Sequence, residues 1–154
     1  MVNGITLSEE GHFVTLFDSD DQGAAGSSEV LSMKNWAHCT ILISKGAGSA
    51  STIVVKNATS FAGAGAATMP FAYYKENATD GDTLSARANA TTAGTALSSS
   101  AGTILAIEID ADELPDGSPY LYITHNTTTA SEFSAMAILT GGRFQKSESD
   151  TAIA

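Results

Sequence analysis

The strongest constraint on the fold is a succession of short β-forming runs, each closed by turn residues. The runs are "FVTLF" (Phe13–Phe17), "EVLSMKNW" (Glu29–Trp36), "CTILIS" (Cys39–Ser44), "STIVVKNA" (Ser51–Ala58) and "MPFAYYKE" (Met69–Glu76). They continue with "TLSARANA" (Thr83–Ala90), "TILAIEID" (Thr103–Asp110), "YLYITHN" (Tyr120–Asn126) and "SAMAILT" (Ser134–Thr140). Each has strand length, is rich in β-branched or aromatic residues, and is bounded by turn residues. No segment sustains helical periodicity, and "TTTASEFSAMAIL" carries too many β-branched and small polar residues for a helix. Only "DADELP" predicts a helical turn, a single one before Pro115. Without crossover helices a purely parallel sheet is disfavoured. Eight or nine short strands therefore predict an all-β fold, an antiparallel, jelly-roll-like β-sandwich.

Alternation assigns faces. In "ILAIEID", Ile104, Ala106 and Glu108 point one way and Leu105, Ile107 and Ile109 the other. In "YLYITHN", Leu121 and Ile123 share one face, opposite Tyr120, Tyr122 and Thr124. "TILI" and "TIVV" are apolar on both faces, which marks central strands or strands covered by a partner. With 154 residues the chain reads as one domain, its core at about 12–142. Residues 1–11 and 143–154 read as flexible arms, because "MVNGITLSEEG" and "RFQKSESDTAIA" have little to bury.

Charge narrows the partners. The formal net charge is −10 with only seven Lys and Arg and no basic cluster. Nucleic acid is therefore not an expected partner, since phosphate neutralisation needs clustered cations. Anionic membranes are disfavoured on the same ground. Charged residues make up 16% of the chain, and small residues dominate. That balance is common where much surface is buried against neighbours. Cys39 is the single cysteine, so an internal disulfide, a Cys-x-x-Cys centre and a thiolate zinc site are excluded by arithmetic. "MVNGITLSEEGH" has no signal-peptide pattern, and the longest apolar run, near "TILI", is too short to span a bilayer. The expected place of synthesis is a host cytoplasm.

"KGAGSAS", between two apolar runs, raises the question of a phosphate loop. Such a loop needs a helix after its glycines and a lysine at its end. Here Lys45 precedes the glycines and "TIVV", a strand, follows. The loop reads instead as a β-hairpin connection with Gly46 or Gly48 at positive φ. "FAGAGAAT" (Phe61–Thr68) repeats the pattern, giving an expected up–down–up run of three strands. Asn57, Asn77, Asn89 and Asn126 each begin Asn-x-Thr. Without a secretory route they read as residues near strand ends whose side chains bond to backbone.

The remaining candidate sites are sparse. "DSDDQGAAGSSE" matches calcium-loop spacing at Asp18, Asp20, Gly23 and Glu29, but Gln22 and Ala25 depart from the pattern and a strand precedes it. A solvated acidic loop accounts for it more simply. "TDGDT" (Thr79–Thr83) and "PDGS" (Pro115–Ser118) are plain turns. His12, His38 and His125 have no spacing that converges on zinc or on a nucleophile, and Cys39 reads as a small buried apolar residue. Glu108 and Asp110 share a strand face, where a solvent-facing edge explains them more simply than acid–base chemistry. The aromatics, among them Trp36, Tyr73 and Tyr74, could stack on sugars but read first as core and interface packing. No catalytic, cofactor or metal residues are assigned, and the chain is read as non-enzymatic.

The run "LSMKNWAHCTILISKGAGSASTIVVKNATSFAGAGAATMPFAYYK" resembles small virion proteins of tailed bacteriophages, in its Ser-x-Lys-Asn-aromatic strand, apolar strand, Gly-rich hairpin and later aromatic strand after a second Ala/Gly linker. "TILAIEIDADELPDGSPYLYI" is similar to their strand, acidic corner and partner strand. The resemblance covers about Leu31 to Thr140. It implies a capsid decoration, or cement, protein: a β-sandwich, homotrimeric, bound to the major capsid protein on the virion surface. A tail- or fibre-associated protein with a carbohydrate-binding face is the alternative it leaves open.

Overall fold

The computed structural model describes residues 6–18, 22–76, 81–127, 129–142 and 152–153. After a short helix, α1 (Leu7–Glu10), come β1 (His12–Phe17), β2 (Gly26–Ser27), β3 (Leu31–Ser32) and β4 (His38–Gly48). Next are β5 (Ser51–Ala58), β6 (Ala67–Thr68), β7 (Phe71–Lys75) and β8 (Ala88–Ala90). The last are β9 (Thr95–Leu97), β10 (Ile104–Asp110), β11 (Tyr120–His125) and β12 (Ser131–Thr140). The first sheet has the order β1-β12-β4-β10-β7-β8. The second has the order β2-β11-β5-β6, with β3 also on β11 and β9 also on β5.

The pairing is nested. β1 pairs with β12, β2 and β3 with β11, β4 with β10, and β5 with β6 and β9, all antiparallel. The chain is thus a long folded ribbon rolled so that its outermost and innermost pairs alternate between sheets. That is a jelly roll, widened by the β7–β8 hairpin beside β10. The all-β sandwich expected from the turn spacing is the fold.

Alternation builds the core between the sheets. Ile41 and Ile43 of β4 and Leu105, Ile107 and Ile109 of β10 face Ile53 and Val55 of β5 and Leu121 and Ile123 of β11, all fully buried. Each contributes about 2 kcal/mol of burial free energy. The face assignment read from "ILAIEID" holds in the burial of β10, and that from "YLYITHN" holds in packing, with Leu121 and Ile123 in the core and Tyr120 and Tyr122 in a separate cluster.

Several boundaries differ from the sequence reading. Glu29–Trp36 is strand only at Leu31–Ser32; the chain then turns, with Trp36 N donating to Met33 O at 3.1 Å. Thr83–Ala90 is strand only at Ala88–Ala90. β4 and β12 are longer than read, reaching Gly48 and starting at Ser131. β2, β6 and β9 were not distinguishable, since two or three residues carry no measurable period. "DADEL" does form one 3-10 turn, Ala111–Glu113, and Glu113 Oε2 accepts the Asp110 backbone N–H at 3.1 Å.

The larger correction concerns the glycine loops. "KGAGSAS" is not a hairpin, because β4 and β5 lie in different sheets and do not pair. It is a crossover, with Gly48 at φ 97° where the strand leaves β12. "FAGAGAAT" is the hairpin, joining β5 to β6 with Lys56 opposite Thr68. The expected up–down–up run therefore does not form. Two residues of the C-terminal stretch also dock on the body. Ser32 N donates to Ala152 O at 2.8 Å, Ile153 pairs with Leu31, and Ala152 is buried.

Candidate functional site

The first sheet has an outward face that is part buried, at Ala72, Ala106 and Ile138, and part open to solvent among the described residues. Strand register lays Thr15, Met136, Leu42, Ala106 and Tyr74 across it in one row. The adjacent row is Phe13, Ile138, Thr40, Glu108 and Ala72. Ile104 stands beyond the first row, opposite Ser44. Four large apolar side chains on this face stay open to solvent: Phe13 at 44%, Ile104 at 42%, Met136 at 41% and Leu42 at 37%. Leu42 and Met136 are direct cross-strand partners, so they form one contiguous apolar surface. Apolar residues scattered singly are ordinary; a group aligned on one rigid sheet marks a contact surface. Gly11, which caps α1, comes close to Ile138, a buried residue of this face.

One end of this face carries a charged cluster. His38, on β4, sits opposite Asp110 of β10. Its Nδ1 lies 2.6 Å from Asp110 Oδ1 and its Nε2 lies 2.6 Å from Glu108 Oε2. Carboxylates offer only acceptors, so both ring nitrogens donate and His38 is an imidazolium in this arrangement. Partial burial pulls its pKa down, but the hydrogen bonds to Asp110 and Glu108, and their charge, outweigh this and raise it above the ordinary value. Thr40 Oγ1 donates to Glu108 Oε2 at 2.7 Å and closes the cluster. The carboxylates do not sit on an edge, as the sequence reading had it: β10 lies inside the sheet between β4 and β7. His38 joins residues 72 and 70 positions away, a meeting that only the β4–β10 register produces.

The same cluster is poorly arranged for catalysis by Cys39. His38 faces outward, whereas Cys39, its neighbour on the strand, is buried in the core. Burial, then the charge of Glu108, pushes the Cys39 thiol up to about 12, so it stays protonated. Among the described residues, no group of three or more His, Cys, Asp or Glu is placed to hold a metal.

Lys45 settles the phosphate question. Its side chain is only 2% exposed. Its ammonium donates to Gly46 O at 2.9 Å, Ala47 O at 2.5 Å and Glu132 O at 3.2 Å. The three donors of the ammonium are all occupied by backbone. Desolvation lowers its pKa, opposed by the nearby Glu132 charge. Lys45 ties the crossover to β12 and has no donor left for a ligand. A lysine beside the glycines is the signal available in the sequence; its place inside β4 and its burial are not.

His125 is also buried. Its Nδ1 pairs with Thr127 Oγ1 at 3.0 Å, and Thr127 donates onward to Ser51 Oγ at 2.8 Å. Its Nε2 has no hydrogen-bond partner, and its ring stands edge-on to Phe17 and Phe133 at 5.2 and 5.1 Å. Burial lowers its pKa, so the neutral ring is the native form.

The other candidates do not assemble. Asp18 and Glu29 are exposed and separated by β2, so the acidic stretch is not one continuous calcium loop; Asp20 lies outside the described residues. Trp36 is buried and stacks on His12 at 5.6 Å. Tyr73 packs towards the core, while Tyr74, its neighbour on β7, lies on the outward face. These three aromatics form no common platform. Asn126 Oδ1 accepts the Thr52 backbone N–H at 2.7 Å, as expected for a strand-end residue; Asn57 is buried near the end of β5, and Asn89 stands at the middle of β8. Asn77 and Asp80 lie outside the described residues.

No protein-family model matches the chain, and no curated protein matches it. Among solved structures, the crystal structure of the SPBc2 prophage-derived protein YomS is similar. The identity is 11%, over 86% of this chain and 94% of that chain, with a TM-score of 0.49. A likeness at that level assigns no role to any residue.

Proposed function

We propose that this chain is a non-enzymatic structural protein of a tailed-phage virion, decorating the capsid shell by binding the major capsid protein. The observation that carries the reading is the partly open apolar face of the first sheet, with Leu42, Ile104, Met136 and Phe13 aligned on a rigid scaffold. The resemblance over Leu31 to Thr140 gives that face its setting. A decoration protein needs no reacting centre. It needs a preformed surface that meets the assembled shell and loses little freedom on docking. A ligand that binds only the assembled shell stabilises it by mass action, by about 2.7 kcal/mol per site at a free concentration 100 times Kd. The reading includes self-association as a homotrimer, which sedimentation equilibrium reads directly.

The test uses undecorated heads of the phage that carries this gene. Purified protein should co-sediment with them and raise their melting temperature. Protein that neither co-sediments with heads nor changes their melting overturns the reading.

A further inference from the structure

The outward face of the first sheet has a charge pattern as well as an apolar centre. Glu108 and Asp110 stand at one end of it and Glu132, beside Gly46, at the other. His38 is held between Glu108 and Asp110, so even with its proton that trio carries a net negative charge. Among the described residues, no outward strand position of this sheet is Lys or Arg. Lys75 reaches to Ala96 O in the second sheet, and Arg87, directly before β8, lines a shallow hollow at the β8 margin of this face with Ala72, Asn89 and the acidic Glu113. The face is therefore an apolar band with carboxylates at both ends.

From this we infer that the face docks a protein surface presenting apolar side chains flanked by Lys and Arg. The inference rests on the structural reading above for its biological setting, and it names the chemistry of the partner. Complementary potentials select partners and penalise like charges set against each other. Two copies of this chain stacked face to face would oppose carboxylates to carboxylates around the apolar band. A partner with basic residues at the rim instead meets Glu108, Asp110 and Glu132 while its apolar centre covers Leu42 and Met136. Because the sheet is already formed and its rows are in register, such docking orders side chains rather than backbone.

The experiment is a methyl NMR titration of the whole chain, labelled at Leu, Ile and Met, with a synthetic peptide of alternating Leu and Lys. A Leu-Glu peptide of equal length is the control. The Leu-Lys peptide should shift the Leu42, Ile104 and Met136 methyls, and the Leu-Glu peptide should not. Binding should weaken at least about tenfold in high salt, and also in Glu108→Gln/Asp110→Asn. Leu42→Ser/Met136→Ser changes side chains outside the core between the sheets, so it should fold as the parent does by circular dichroism and lose binding by a similar factor. Shifts located elsewhere, equal response to both peptides, or unchanged binding by the folded double variant overturns the inference. So does a concentration-dependent shift of these methyls without peptide, which would make a second copy the occupant. No heads are used, so failure here and failure of the head-binding experiment are separate results.

Discussion

The two sheets offer outward faces that begin alike and end differently. On the second sheet, Tyr120 and Tyr122 of β11 and Ala58 of β5 point away from the core, yet all three are buried. Phe61, from the β5–β6 hairpin, and Val30, from the β2–β3 connection, lie over them. The Phe61 and Tyr120 rings meet at 4.7 Å, and the Lys34 ammonium sits 4.9 Å from the Tyr120 ring centre. On the first sheet, Leu42, Ile104 and Met136 point away from the core in the same manner, and among the described residues they stay 37–42% exposed. One face is closed by the chain itself; the other is left for something else. Outward apolar residues therefore mean different things depending on whether nearby loops can reach them.

The largest expected difference lies in stability. Tyr120→Ala should cost about 3 kcal/mol in urea unfolding, because it removes a buried ring and uncovers Phe61. A loss under about 1 kcal/mol would mean that the second face is not closed by packing. Phe61→Ala, which removes only the partly buried cover, should cost about 1 kcal/mol in the same assay.

The two histidines sharpen the contrast through pH. His38, on the open face, has a raised folded pKa. Its contribution to stability is full below its unfolded value of about 6.5 and is lost as pH rises through the folded value. His125, shut between Phe17 and Phe133, has a lowered folded pKa. Its contribution is full above about 6.5 and is lost as pH falls through the folded value. Urea unfolding across that range should show His38→Gln flattening the alkaline limb and His125→Phe flattening the acid limb. The opposite assignment of limbs would reverse the protonation states given to the two rings.

The smallest stability effects belong on the open face. Leu42→Ser and Met136→Ser should each cost no more than about 1 kcal/mol, since each side chain is only partly covered by its neighbours. A loss of 2 kcal/mol or more, on the scale of core truncations, would show that this face is closed within the monomer. Cys39 is the control for the interior: the native protein should not react with a thiol reagent until it is unfolded.

Much of this fold is written locally. The alternation in "ILAIEID" and "YLYITHN" set the faces of β10 and β11, and "TILI", apolar on both sides, marked a strand that is central and also carries the open Leu42. The acidic corner "DADEL" turned where its cap residues required. What sequence could not supply was long-range pairing. Whether a Gly-rich loop returns to its own sheet depends on partners far along the chain, so "KGAGSAS" and "FAGAGAAT" look alike and do different things. The His38 cluster has the same origin, because its carboxylates arrive by register and not by spacing. Lys45 was visible as a lysine beside glycines, but its burial depends on the carbonyl of Glu132 from β12.

The most direct test of the open face is methionine oxidation read by mass spectrometry, on the free protein and on decorated particles. Met136 is exposed on that face, while Met33 and Met69 are buried and serve as internal references. In free protein Met136 should oxidise readily and Met33 and Met69 should not. On the particle Met136 should become protected, with the two references unchanged. Equal oxidation of Met136 in both states would contradict the account, because the face assigned to docking would remain open to solvent.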